Sequence, residues 1–338
     1  MKIGNREITE NDLFFWIEEG QASRGDVKIA QEYIRTVASM GADAIEFQLA
    51  IAEEFYVKSH SAYNYYKDIQ YSEKQIIELI DYAHENGLLF IAAVLAPSLV
   101  SFLKQNNCDA FVINASDINN PDIIEPVINS RLPFFISLPL STIEEVEWII
   151  RFCNSKGARD FVLMHGQHTM ASGDSGVKIG DTNLGFLQTL KTKYSRMVGF
   201  IDHSRNIFMP SIAHAAGANY ISKHLFLEKN TTGPDWFVCL DPDDIKLSLD
   251  SARATNKSLS KKDKELAEGE DDDKRIMRRS IVAACDIKSD TIIDKSMIAF
   301  KRPGIGLQPN KYQMFIGKKT VVDIQEEELL TELNVDLE

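Results

Sequence analysis

Two histidines carry the first chemical signal in this chain. The run Met197–Ile201 leads into Asp202-His203, and the run Ala218–Ile221 leads through Ser222 into Lys223-His224. Short apolar runs that alternate with helical intervals read as parallel strands, and in parallel α/β sheets chemistry collects beyond the carboxyl ends of the strands. Neighbouring strand ends would bring His203 and His224 within a few ångströms of each other at one mouth. Two converging neutral imidazoles suit a divalent metal ion. Each histidine could also serve only as a hydrogen-bonding loop residue.

The elements that would hold them recur along the chain. Strand candidates are Phe14–Glu18, Ala44–Gln48, Leu89–Val94, Ala110–Asn114, Phe134–Leu138, Phe161–His165, Val198–Asp202 and Tyr220–His224. Helical spacing appears between them. In Val27–Met40, Ile29, Ala30, Tyr33, Ile34 and Val37 share one face and Gly41 follows as a C-cap. Ser72 reads as an N-cap for a helix ending at Gly87. Further helical intervals are Thr142–Ile150, Asn183–Leu190 and Met209–Ala216. Eight alternating units over about 250 residues predict a (β/α)8 (TIM) barrel. A doubly wound sheet is the alternative, but no glycine-rich dinucleotide loop follows the first strand.

The sequence divides at its charge distribution. Residues 1–254 form the barrel, residues 255–276 (TNKSLSKKDKELAEGEDDDKRI) read as a charged, solvated linker, and residues 277–338 hold short strand-like runs around the loop Lys301–Pro309. The whole chain has 338 residues, 44% hydrophobic content and a formal net charge of −13. That charge disfavours binding to nucleic acid or to anionic membranes. No apolar run approaches the ~20 residues needed to span a bilayer, and the N-terminus has no signal-peptide pattern. The four cysteines, Cys108, Cys153, Cys239 and Cys285, lack metal or disulfide spacing and read as free thiols. A cytoplasmic protein is the expectation.

These residues resemble a known family. IEEG (Ile17–Gly20) with Gly25-Asp26, GADAIEFQ (Gly41–Gln48), GFIDHS (Gly199–Ser204), KHLFLEKN (Lys223–Asn230) and GPD (Gly233–Asp235) occur in the order found in sialic acid (N-acetylneuraminate) synthases. RRSIVAACDI (Arg278–Ile287) and KRPGIG (Lys301–Gly306) resemble the C-terminal SAF, or antifreeze-like, domain of those enzymes. The resemblance implies condensation of phosphoenolpyruvate with an N-acyl hexose, dependent on Mn2+ or Mg2+. It implies His203 and His224 as metal ligands and Glu18 as the catalytic acid at the sugar end. Substrate contacts would come from Gln48, Ser137, Gln167, Asp235 and Arg302. The arginine would reach into a partner's site, which implies a domain-swapped homodimer.

The departures from the family pattern gather on the phosphate-handling positions. Glu46 stands where the family has a lysine, and Val112 where it has a second lysine. Hydroxyl donors give way to Ala92, Ala93, Val94 and Leu95. Ser137 alone remains of the fifth-strand motif, Ile201 replaces a serine, Ser222 replaces a glutamate, and a His-Cys-Thr loop becomes His165-Gly166-Gln167-His168. A charged contact to a phosphate oxygen contributes ~1.5–3 kcal/mol, so two missing lysines should weaken phosphoenolpyruvate binding by powers of ten. Three functions stay open on sequence. One is a working synthase of carbohydrate (nonulosonic acid) biosynthesis. Another is a metal-dependent aldolase, lyase or isomerase on a sugar acid, with Glu46 and His168 as acid–base groups. The third is a non-catalytic scaffold.

Overall fold

The computed structural model describes residues 1–169, 176–227, 235–261 and 263–337. The chain forms two compact units, Met1–Lys261 and Lys262–Glu338. In the first, eight parallel strands close into a barrel. They are β1 (Phe14–Glu18), β2 (Ala44–Leu49), β3 (Leu89–Val94), β4 (Ala110–Ile113), β5 (Phe134–Ser137), β6 (Phe161–Gly166), β7 (Val198–Asp202) and β8 (Ala218–His224). Each matches a predicted strand to within two residues at either end. β8 pairs with β1 to close the ring, with His224 opposite Glu18.

Alternation along the strands sorts the side chains. Phe15, Ile17, Ile45, Phe47, Phe90, Phe111 and Ile221 face outward and pack under the helices. Phe14, Trp16, Phe135 and Tyr220 face inward and meet ring to ring, with Trp16 and Phe135 centroids 4.7 Å apart and Phe135 and Tyr220 5.4 Å apart. These rings fill the barrel axis. A hairpin at the N-terminus, Lys2–Ile3 paired with Arg6–Glu7, adds Ile3 and Ile8 to the same cluster. The next inward positions of the same alternation are Glu18, Glu46, Gln48, Ser137 and His224, so the polar site rests on an aromatic floor.

The helices follow their local signals. Asp26 caps Val27–Met40 through Lys28 N and Ile29 N, and Gly41 ends it at φ 78°. Ser72 and Gln75 form a capping box on Glu73–Glu85, and Thr142 and Glu145 form another on Ile143–Ser155. The charged stretch 255–276 is partly helical. The helix Pro242–Leu259 runs through residue 254, because Ile245, Leu249 and Ala252 anchor it and propagation costs little once a helix is nucleated. A second helix, Glu270–Met277, belongs to the C-terminal unit.

That unit has its own small core of Ile281, Ala283, Ile287, Ile293, Ile298, Phe315, Ile324, Leu330 and Val335. Ser280–Ala283 pairs antiparallel with Ile298–Lys301, and Lys319–Thr320 with Val335–Asp336. Cys108, Cys153 and Cys239 are buried free thiols and Cys285 is an exposed one. No helix among the described residues is long and apolar enough to cross a membrane.

Inside the barrel, Gly199 leaves room for Met164. A Cβ there would lie 2.2 Å from Met164 Sδ and 2.8 Å from the Tyr220 carbonyl oxygen. Gly199→Ala is therefore expected to destabilise the fold by ~1–3 kcal/mol, measured by urea unfolding. Unchanged stability would show that the interior is looser than this packing.

Candidate active site at the barrel mouth

A cavity of about 610 Å3, open solvent at its mouth included, sits at the carboxyl ends of the strands. Glu18, Gln48, Ser137, His203, His224 and Asp235 all line it. Gln167 contributes its backbone carbonyl, which accepts from His203 Nδ1 at 2.9 Å. Arg302 is exposed on its loop in the C-terminal unit. Glu228–Asn230 of the KHLFLEKN motif and Gly233-Pro234 of the GPD motif lie outside the described residues.

The two histidine rings converge as their strand-end positions suggest, with centroids 5.2 Å apart, and the His168 ring lies 4.7 Å from that of His203. One atom each of Glu18, His224 and Asp235 lies within 4.8 Å of the others, making a ligand-ready cluster. His203 stands beside that triad rather than within it. His224 Nε2 is 3.4 Å from Glu18 Oε2, yet among the described residues neither ring nitrogen of His224 has a hydrogen-bond partner although both are buried. Orphaned imidazole nitrogens facing carboxylates are what a divalent cation would satisfy. Two ligands at right angles, each ~2.1 Å from one ion, lie ~3 Å apart, close to the observed spacing. Burial holds both imidazoles below their usual range, His203 with further help from His224 and His168, so both present the neutral, ligating form. The Nδ1 contact to Gln167 leaves Nε2 as the free nitrogen of His203. The residues present therefore fit a divalent cation.

Asp202, the other half of the Asp202-His203 tip, is not in the cavity. Alternation turns it outward, where it meets Lys223 at 2.6 Å with both side chains fully buried.

Glu18 and Glu46 are register partners on β1 and β2. The Trp16 indole donates to Glu46 Oε2 at 2.5 Å, and Gln48 Nε2 donates to Glu18 Oε1. Gln21 Nε2 in turn donates to Gln48 Oε1 at 2.7 Å and to the Tyr66 hydroxyl at 2.9 Å. That relay fixes which end of the Gln48 amide faces Glu18. Sequence reading did not single out Trp16, Gln21 or Tyr66, because their partners are distant in the chain. Burial, and then Asp235, pushes the Glu18 carboxyl up to about 8. Burial, and then Glu18, holds Glu46 well above the carboxylate range. Burial therefore favours the protonated form of Glu46 over the repelling carboxylate its position in the sequence suggests.

The remaining lining is largely neutral: Val112 and Ile201, the latter two residues before His203 on β7, give apolar surface, and Asn114, Ser116 and Ser137 are uncharged polar groups. Among the described lining residues there is no lysine or arginine.

Fold and site define the class: a (β/α)8 barrel with carboxylates and imidazoles converging at its C-terminal mouth, followed by a small β-rich unit. The NeuB family model matches residues 33–264 and the SAF domain model residues 278–336. The protein MJ1065 of Methanocaldococcus jannaschii is 31% identical over 98% of this chain and 97% of its own length. N,N'-diacetyllegionaminic acid synthase of Campylobacter jejuni is 27% identical over 93% of this chain and 98% of its own. The crystal structure of N-acetylneuraminic acid synthetase from Leptospira borgpetersenii superposes with a TM-score of 0.73 at 26% identity, covering 81% of this chain and 94% of that one. This chain belongs to the NeuB family.

The carboxyl and imidazole shifts give a pH signature. Glu18 titrates at about 8 in the fold against an ordinary 4.5. Between those values the native state keeps a proton that the unfolded chain has released, so stability declines as pH rises and the contribution is lost through pH 8. The histidines act in the other direction, and only as pH falls below their ordinary 6.5. The interval from 6.5 to 8 therefore isolates the carboxyls. The melting temperature of metal-free protein is expected to fall across it, and saturating Mn2+ should raise it more at pH 8 than at 6.5. A melting temperature that is flat or rises over this interval would contradict the buried, protonated carboxyls.

Proposed function

We propose that this protein is a synthase-like enzyme of carbohydrate biosynthesis, of the nonulosonic acid type. It would make or break a carbon–carbon bond between a three-carbon unit and an N-acylated hexose. Family membership supports the reaction class, and Glu18, His224 and Asp235, with His203 beside them, would hold the divalent cation. When bound, such a cation supplies Lewis-acid polarisation of a carbonyl oxygen. Glu18, aimed by Gln48, would hold a sugar hydroxyl through the carboxyl oxygen that does not face the cation. His168, whose Nε2 is 3.8 Å from Asp235 Oδ1, is placed to carry a proton at the rim.

One observation favours a more particular reading. Glu46, bonded to Trp16, lines the same cavity as Val112 and Ile201. A buried carboxyl beside apolar surface offers nothing to neutralise a phosphate dianion, whereas in the protonated form that burial favours it can donate to a carbonyl or carboxyl oxygen. The three-carbon unit is therefore read as a phosphate-free compound of pyruvate type, which makes the reaction an aldol addition or its reverse.

Product analysis by mass spectrometry tests this, using Mn2+, a panel of N-acyl hexoses, and either pyruvate or phosphoenolpyruvate. Condensation or cleavage is expected with the pyruvate pair, and no phosphate release from phosphoenolpyruvate. Calorimetry should show phosphoenolpyruvate affinity rising at least tenfold in Glu46→Lys/Val112→Lys. Turnover of phosphoenolpyruvate by the unaltered protein would overturn the phosphate-free reading. Turnover of neither donor would favour a non-catalytic homologue.

A further inference from the structure

The Asp202–Lys223 pair touches no part of the cavity, yet each member immediately precedes one of the two site histidines. Lys223 and Asp202 face each other in register across β8 and β7. Lys223 Nζ donates to Asp202 Oδ2 at 2.6 Å and to the Ser204 carbonyl at 2.7 Å. The other carboxylate oxygen, Oδ1, accepts from Ser204 N at 2.8 Å. Three hydrogen bonds thus bracket residues 202–204, with His203 at their centre, and tie that bracket to the residue before His224.

Stability alone is a poor explanation for this arrangement. Both side chains are fully buried. Taking two charges out of water costs several kcal/mol per ion even after relaxation, and well-packed apolar replacements of such pairs are often neutral or stabilising. An ion pair does offer directional bonds that fix strand ends in one arrangement. His224 needs that help. Its ring nitrogens have no hydrogen-bond partner among the described residues, so apart from the 3.4 Å approach to Glu18 its placement rests on the β8 backbone, which the Lys223 side chain ties to residues 202–204. His203 has its own tether through Gln167.

We propose that Asp202 and Lys223 are positioning residues that set the separation and aim of His203 and His224 from outside the barrel. The inference rests on reading the histidine end as a cation site. A double variant, Asp202→Leu/Lys223→Met, removes both charges without leaving either one buried alone.

Mn2+ affinity by calorimetry and urea unfolding are measured on the full chain for the variant and the unaltered protein. The variant is expected to unfold at the same or a higher urea concentration while Mn2+ affinity falls tenfold or more. If it does not fold, Asp202→Asn/Lys223→Gln replaces it under the same criterion. A folded variant whose Mn2+ affinity stays within twofold of the unaltered protein overturns the positioning role. Failure of the unaltered protein to bind Mn2+ overturns the cation reading itself, and this inference with it.

Discussion

Closure of β8 onto β1 is the constraint on which the site depends. It sets His224 opposite Glu18, and the β1–β2 register sets Glu18 opposite Glu46. Strand side chains alternate with a period of two, so a slip of one residue would turn these groups toward the helices and bring phenylalanines and isoleucines to the mouth. The aromatic layer of Phe14, Trp16, Phe135 and Tyr220 resists that slip, because a slip would expel four large rings from the barrel axis. The same layer forms the dry floor beneath the carboxyls. A low-dielectric floor and a closed ring together raise the carboxyls of Glu18 and Glu46 and favour their protonated forms.

The cavity is chemically lopsided. Imidazole nitrogens and carboxylate oxygens converge on one side and offer a cation a ready set of ligands. The β4 and β5 side, lined by Val112, Asn114 and Ser137, offers uncharged contacts. Glu46 sits between them and belongs electrically to neither while it remains protonated.

Much of this was legible from residue order. Strands ending in histidine, an acid ending the first strand, and helices framed by Ser72 and Gly41 are local signals, and local signals survive without the fold. What stayed hidden was long-range or too short. The hairpin Lys2–Ile3/Arg6–Glu7 has strands of two residues, too brief to show a period. The helix Pro121–Ser130 carries Pro126 in its interior, which reads as a break. The Trp16–Glu46 bond joins residues 30 apart in the chain, so nothing near Glu46 announces that its carboxyl is held. Asp202 adjoins His203 in the sequence, but alternation sends it to the opposite face, where it meets Lys223.

The most direct measurement is the anomalous difference map of crystals grown with Mn2+. A single strong peak is expected at the barrel mouth, ~2.0–2.3 Å from a nitrogen of His224 and from oxygens of Glu18 and Asp235. A map with no peak there, or with the ion held elsewhere in the chain, would contradict a cation site built on the closure of β8 onto β1.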